Sequence, residues 1–109
     1  MLRIKTSGIY IIKNRVNNKV LVGYTNDLYG RKNHHFRELK NNKHKNIHLQ
    51  NAYNKYGKEN FIKEILCECF SKEELDEREK YYIKFYNSKI PSGYNISNGG
   101  EASWNIGLT

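Results

Sequence analysis

One carboxylate stands where solubility alone does not explain it. Residues 71–86 predict a helix, and counting about 100° per residue puts Leu75, Glu79, Tyr82 and Tyr86 on one narrow face. Glu73, Asp76, Glu77, Lys80 and Lys84 fall on or towards the other. A lone carboxylate in an apolar stripe is costly unless a cation, hydrogen bonds or a metal compensates. Two arrangements satisfy it: a network of Glu79 with an arginine or tyrosine inside the core, or a hard-metal site. The second needs no other protein ligand, because Mg²⁺ takes one or two carboxylates and fills its octahedron with water and phosphate oxygens.

Other residues narrow the chemistry. Cys67 and Cys69 form a C-x-C pair with no second matching pair, far from the usual four-ligand zinc spacing. Neighbours this close on a strand do not easily bridge, so reduced thiols in a reducing compartment are expected. There is no long apolar run and no signal-peptide core, so the sequence reads as a soluble, intracellular protein without a membrane segment. The 109 residues carry a net charge of +8, and unevenly: residues 1–58 hold 13 Lys/Arg against 2 Asp/Glu. A basic half is the footprint of a polyanion binder. Codon usage in an AT-rich genome, which favours Lys and Asn, produces the same bias, so charge alone leaves both readings open.

The elements that must position these groups follow from pattern. Ile9–Ile12 and Val20–Thr25, separated by the polar segment Asn14–Lys19, predict an antiparallel hairpin over 8–25. Asn26 or Asp27 is then expected to cap a helix reaching Leu39, with Leu28, His35, Phe36 and Leu39 on its inner face and Arg31 at the border. A basic connector over 41–46 leads to a second helix, Ile47–Tyr56, with Leu49, Ala52, Tyr53 and Tyr56 inward and Gly57 at its end. Phe61–Cys67 predicts a third strand. Ser71-Lys-Glu-Glu74 is a capping-box pattern that opens the last helix. The expected fold is α+β, a small three-stranded antiparallel sheet flanked by helices in the order β-β-α-α-β-α. Residues 1–100 read as one domain and 101–109 as a tail.

These residues together form a known pattern. Gly8-Ile9-Tyr10, then ten residues, then Leu21-Val22-Gly23 resembles the two-part signature of the GIY-YIG nucleases, with leucine where the family has its second tyrosine. Arg31 follows by eight residues, like the family's helix arginine. His44 precedes the second helix, where many homing-type members have a histidine. Leu49-Gln50 and Asn54-Lys55-Tyr56-Gly57 match their second helix. Glu77-Arg78-Glu79 matches the segment of the metal-binding glutamate, and Gly93-Tyr94-Asn95 the terminal asparagine motif. Ser103-Trp104-Asn105-Ile106-Gly107 resembles the start of the DNA-binding tails of homing endonucleases, so the tail is expected to lead into a DNA-binding region.

The resemblance implies a DNA endonuclease acting on double-stranded DNA with Mg²⁺ or Mn²⁺ on Glu79. It implies Tyr10 as general base or its relay, Arg31 on the non-bridging oxygens, His44 sharing proton transfer, and Asn95 orienting a phosphate or water. Lys43, Lys45 and Lys55 would contact phosphates. Each residue has a plainer alternative: Tyr10 a bonded strand tyrosine, Arg31 a partner of Glu79, His44 a solvated loop residue beside His34, His35 and His48, Asn95 a turn residue. Leu21 has no hydroxyl, and Tyr24, an odd number of positions away, is expected on the opposite face. A repair or restriction nuclease of the same fold and a non-catalytic nucleic-acid-binding domain are the competing functions.

Overall fold

The computed structural model describes residues 6–29 and 34–96. Strands β1 (Ser7–Asn14), β2 (Val20–Thr25) and β3 (Phe61–Cys69) form an antiparallel sheet in the order β2-β1-β3. Helices α1 (His34–Lys40), α2 (Ile47–Tyr56) and α3 (Lys72–Tyr86) complete the domain. This is the expected α+β order.

Because β1 is central, both of its faces are buried, and its alternation sorts them. Ile9 and Ile11 join Val20, Val22, Leu75 and Ile83 on the α3 side. Tyr10 and Ile12 join Leu21, Leu28, Leu39, Leu49, Phe61 and Tyr94 on the side of α1 and α2. A bulge in β3 opposite Ile9 and Tyr10 breaks the register, and Leu66 and Cys67 in consequence both pack on the α3 side. Tyr24 also lies on that side, opposite to Tyr10, as its odd spacing requires.

The first helix departs from expectation. Residues 26–29 form a bend and turn, and within the described residues the helix spans His34–Lys40. Thr25 Oγ1 accepts from the Asp27 amide, and the Leu28 amide donates to the Thr6 carbonyl. Those bonds hold the segment as a loop, and Leu28 serves as a core anchor rather than a helix residue. The other ends follow local chemistry. Asn46 caps α2 by accepting from the His48 and Leu49 amides, and Gly57 ends it at φ 90°. Ser71 accepts from the Glu74 amide at the start of α3, while Glu74 reaches back to the Phe70 amide.

Beyond α3 the chain returns to the free edge of β2. The Tyr94 amide donates to the Val20 carbonyl at 3.0 Å. The Asn95 side chain pairs with Val22 like a strand residue, accepting from its amide at 2.8 Å and donating to its carbonyl at 2.9 Å. An otherwise exposed sheet edge is thereby covered. Cys67 and Cys69 are free thiols with sulfurs 4.0 Å apart, and burial pushes the Cys69 thiol up to about 12, leaving it inert.

Candidate active site

The site begins with Tyr10, which is 5% exposed in the middle of β1. Its cross-strand partner is Gly23. A Cβ at Gly23 would lie 2.5 Å from Tyr10 Cζ and 2.6 Å from its hydroxyl, so glycine leaves the space that the phenol occupies. Gly8 is required for a similar reason: a Cβ there would meet the Cys67 carbonyl and Leu28 Cδ2. Lys63, on β3 and on the same face, holds its ammonium 4.9 Å from the Tyr10 ring centroid.

Three rings then form a line. The Tyr10 hydroxyl is hydrogen-bonded to His35 Nε2. His35 Nδ1 is 2.7 Å from His44 Nε2, with the two imidazoles stacked at 5.0 Å. His44 Nδ1 accepts from the Asn46 amide at 3.0 Å. That last bond sets the direction of the whole line. A backbone amide only donates, so His44 Nδ1 carries no proton and a neutral His44 carries its proton on Nε2. His44 therefore donates to His35 Nδ1, and a neutral His35 presents its Nε2 proton to Tyr10. The Tyr10 oxygen is the acceptor at the end of the line.

Side chains from α2 hold this arrangement. Gln50, 3% exposed, accepts from the His44 amide and donates to the Leu39 carbonyl and to Asn54, tying the connector to both helices. Asn46 donates to the Tyr94 carbonyl at 2.6 Å. These bonds give a physical role to the Gln50 and Asn54 positions singled out in the sequence.

Glu79 lies on the inner stripe of α3 with Leu75 and Ile83 and is 6% exposed. Burial first, then Glu79, then Tyr24 push the Tyr10 pKa well above its ordinary value near 10. Burial likewise lowers His44 below its ordinary value, outweighing the charge of Glu38 and the Asn46 bond. Among the described residues no three His, Cys, Asp or Glu side chains converge as a metal cage. The donor set fits a hard, largely hydrated cation on one carboxylate, and does not fit a zinc site built from protein ligands.

Of the residues singled out in the sequence, Tyr10 and His44 are joined through His35, and Glu79 is buried on the inner stripe of α3. Arg31 lies outside the described residues, as does the Ser103–Gly107 segment. Asn95 is committed elsewhere: besides Val22, its Oδ1 accepts from Ser88 Oγ at 2.7 Å, and it is 8% exposed. Lys43, Lys45 and Lys55 are exposed. Leu21 is buried in the wall beside Tyr10. His35 is the residue that sequence reasoning placed in the core and did not select. Its helical spacing marked it as inward-facing, and a histidine on an inner face beside another near His44 was the available signal.

The fold is that of a known catalytic domain. The GIY-YIG catalytic domain model matches residues 6–95, and the chain belongs to the GIY-YIG family. It is 47% identical over 92 residues to intron-associated endonuclease 1 of Enterobacteria phage T4, a match covering 84% of this chain and 37% of that protein. The chain thus spans a little over a third of that relative. The solved catalytic domain of the homing endonuclease I-TevI superposes with a TM-score of 0.75 at 46% identity, covering 84% of this chain and 98% of that one.

Proposed function

We propose that this chain is the catalytic domain of a homing-type endonuclease that hydrolyses phosphodiester bonds in double-stranded DNA, using a divalent cation such as Mg²⁺ or Mn²⁺ held by Glu79. The observation that carries the reading is the line Asn46–His44–His35–Tyr10 ending on a phenol oxygen, in a domain that also buries the Glu79 carboxylate on α3. In this reading residues 1–100 form the domain, and residues 101–109 lead towards a DNA-binding region.

Hydrolysis needs an attacking water freed of its proton and charge neutralisation at the phosphate. Tyr10 takes that proton as the phenolate, its own hydroxyl proton having first passed to solvent. His35 donates to the phenol oxygen, and so stabilises that phenolate. His44 keeps His35 in the donating tautomer. Lys63 adds positive charge beside the ring. Against these stand burial and the charge of Glu79, which keep the phenol protonated in the free protein. Glu79 would hold the divalent cation, which would supply charge neutralisation at the phosphate and would offset the carboxylate's own charge. Arg31 holds the non-bridging oxygens through its fixed fork of donors. Lys43, Lys45 and Lys55 contact neighbouring phosphates. Asn95 acts by fixing the edge of β2, with one amide hydrogen left for a phosphate or water.

The test is cleavage of supercoiled plasmid with Mg²⁺ or with EDTA, beside Glu79→Ala. Nicked or linear product that requires both the metal and Glu79 is the expected result. Metal-independent cleavage, or cleavage that survives Glu79→Ala, overturns the assignment. Binding without cleavage points to Leu21, and recovery of cutting by Leu21→Tyr would show that the absent hydroxyl silences the site.

A further inference from the structure

On the same side of the sheet as Tyr10, the hairpin turn, α2 and the 90–94 loop enclose an open groove of about 330 Å³. Asn17 and Lys19 line it from the turn, His48, Asn51 and Lys55 from α2, and Tyr94 from the loop. The three α2 residues follow helical spacing and share one face. None of the described lining residues is acidic. The walls are pre-formed. The Lys19 amide donates to Asn17 Oδ1 at 3.0 Å, and its carbonyl accepts from the Asn14 amide at 2.9 Å. Tyr94 is clamped through its hydroxyl by Asn14, through its amide by Val20 and through its carbonyl by Asn46.

Asn46 joins this groove to the catalytic line. Its side chain holds Tyr94, a wall of the groove, and its amide sets the tautomer of His44. The groove therefore keeps a fixed relation to Tyr10. The two lysines come from different elements, the hairpin turn and α2, and the trough they line is open. That arrangement suits an extended polyanion better than a single small anion, and it lies within the basic half of the chain.

We propose that this groove seats the sugar–phosphate backbone of one strand of the duplex, displaced from the scissile bond. Lys19 and Lys55 each neutralise a phosphate, and Asn17, Asn51 and His48 donate hydrogen bonds. The proposal rests on the nuclease reading for the identity of the ligand. It adds the hairpin turn, Lys19 above all, to the DNA contacts. Such contacts set the register of the duplex without reading its sequence.

The experiment uses the full chain and a fluorescent DNA duplex in EDTA, with affinity measured from about 50 to about 200 mM salt. The Lys19→Gln/Lys55→Gln variant is compared with Lys80→Gln/Lys84→Gln, which removes the same charge from the exposed outer face of α3. The groove variant is expected to flatten the slope of log affinity against log salt by about 1.8, equally on unrelated duplexes. The α3 variant is expected to keep the parental slope, and both variants the parental melting temperature. An unchanged slope in the groove variant, an equal fall in the α3 variant, or no duplex binding at the lowest salt overturns the proposal. Displacement of duplex by inorganic phosphate at constant ionic strength would also overturn it, by revealing a small-anion site. Plasmid nicking read in parallel separates the two proposals. Nicking with an unchanged slope removes the groove alone, whereas a flattened slope without nicking keeps the groove and removes catalysis.

Discussion

Among the described residues, two polar clusters against this small sheet differ in what their members are bonded to. Asn95 and Ser88 spend their side chains on each other and on the Val22 backbone. Their partners cannot change protonation, and the cluster closes an edge. Tyr10, His35 and His44 are bonded ring to ring, and the far end of the line is fixed by the Asn46 backbone amide. Burial is similar for Asn95 and Tyr10, at 8% and 5% exposed. Burial and satisfied hydrogen bonds therefore do not separate scaffold from site here. The titratable character of the partners does, together with the direction in which the line donates.

The sharpest way to break that contrast is Tyr10→Phe. It removes the acceptor and leaves the ring packing, so cleavage is expected to fall by roughly 10²–10⁴-fold while stability drops by only about 1 kcal/mol. Single-turnover cleavage and urea unfolding read the two effects. Full activity in this variant would take Tyr10 out of the chemistry.

Asn95→Ala is the mirror experiment. It strips partners from both polar groups of Val22, and a loss of about 2–4 kcal/mol is expected from leaving buried groups unsatisfied. Cleavage measured well below the lowered melting temperature should stay close to the parental rate. A variant that is stable but inactive would instead move Asn95 into the site.

His44 provides a pH-dependent test. Its folded pKa is depressed by burial, so the folded protein binds fewer protons there than the unfolded chain does. The stability it contributes is complete above about pH 6.5 and is lost as pH falls through the lowered folded value. The parental melting temperature should therefore decline on acidification through this range, and His44→Gln should decline less. Identical pH profiles would show that His44 is not held neutral. The smallest expected effect is that of Lys63→Gln, which removes a cation–π contact worth about 0.5–1 kcal/mol. A few-fold fall in cleavage rate, rescued by Lys63→Arg, would mark Lys63 as acting through its charge on Tyr10.

Several features were legible in the residues alone, because they are short-range. The hairpin, the bounds of α2 with its Gly57 stop, the Ser71 cap and the inward placement of Glu79 depend on contacts within a few positions. The family resemblance then supplied Tyr10, Arg31, His44, Glu79 and Asn95 as a set, of which Arg31 lies outside the described residues. Local pattern places a helix cap at Asn26 or Asp27 because Leu28 fits a helical stripe, whereas residues 26–29 form a bend and turn. The Leu28 amide is taken by Thr6, a partner that local pattern does not reveal.

What the tertiary structure decided are matters of long-range pairing. Four histidines stand within residues 34–48, and helical spacing marks His35 only as a core residue. It becomes part of the site because β1 brings Tyr10, twenty-five positions earlier, against its Nε2. Asn95 and Val22 are seventy-three positions apart, and only their meeting converts a turn residue into the lock of a sheet edge. Helix caps and strand alternation are set by neighbours along the chain. The identity of a hydrogen-bond partner across the core depends on which elements pack together, and no local periodicity carries that information.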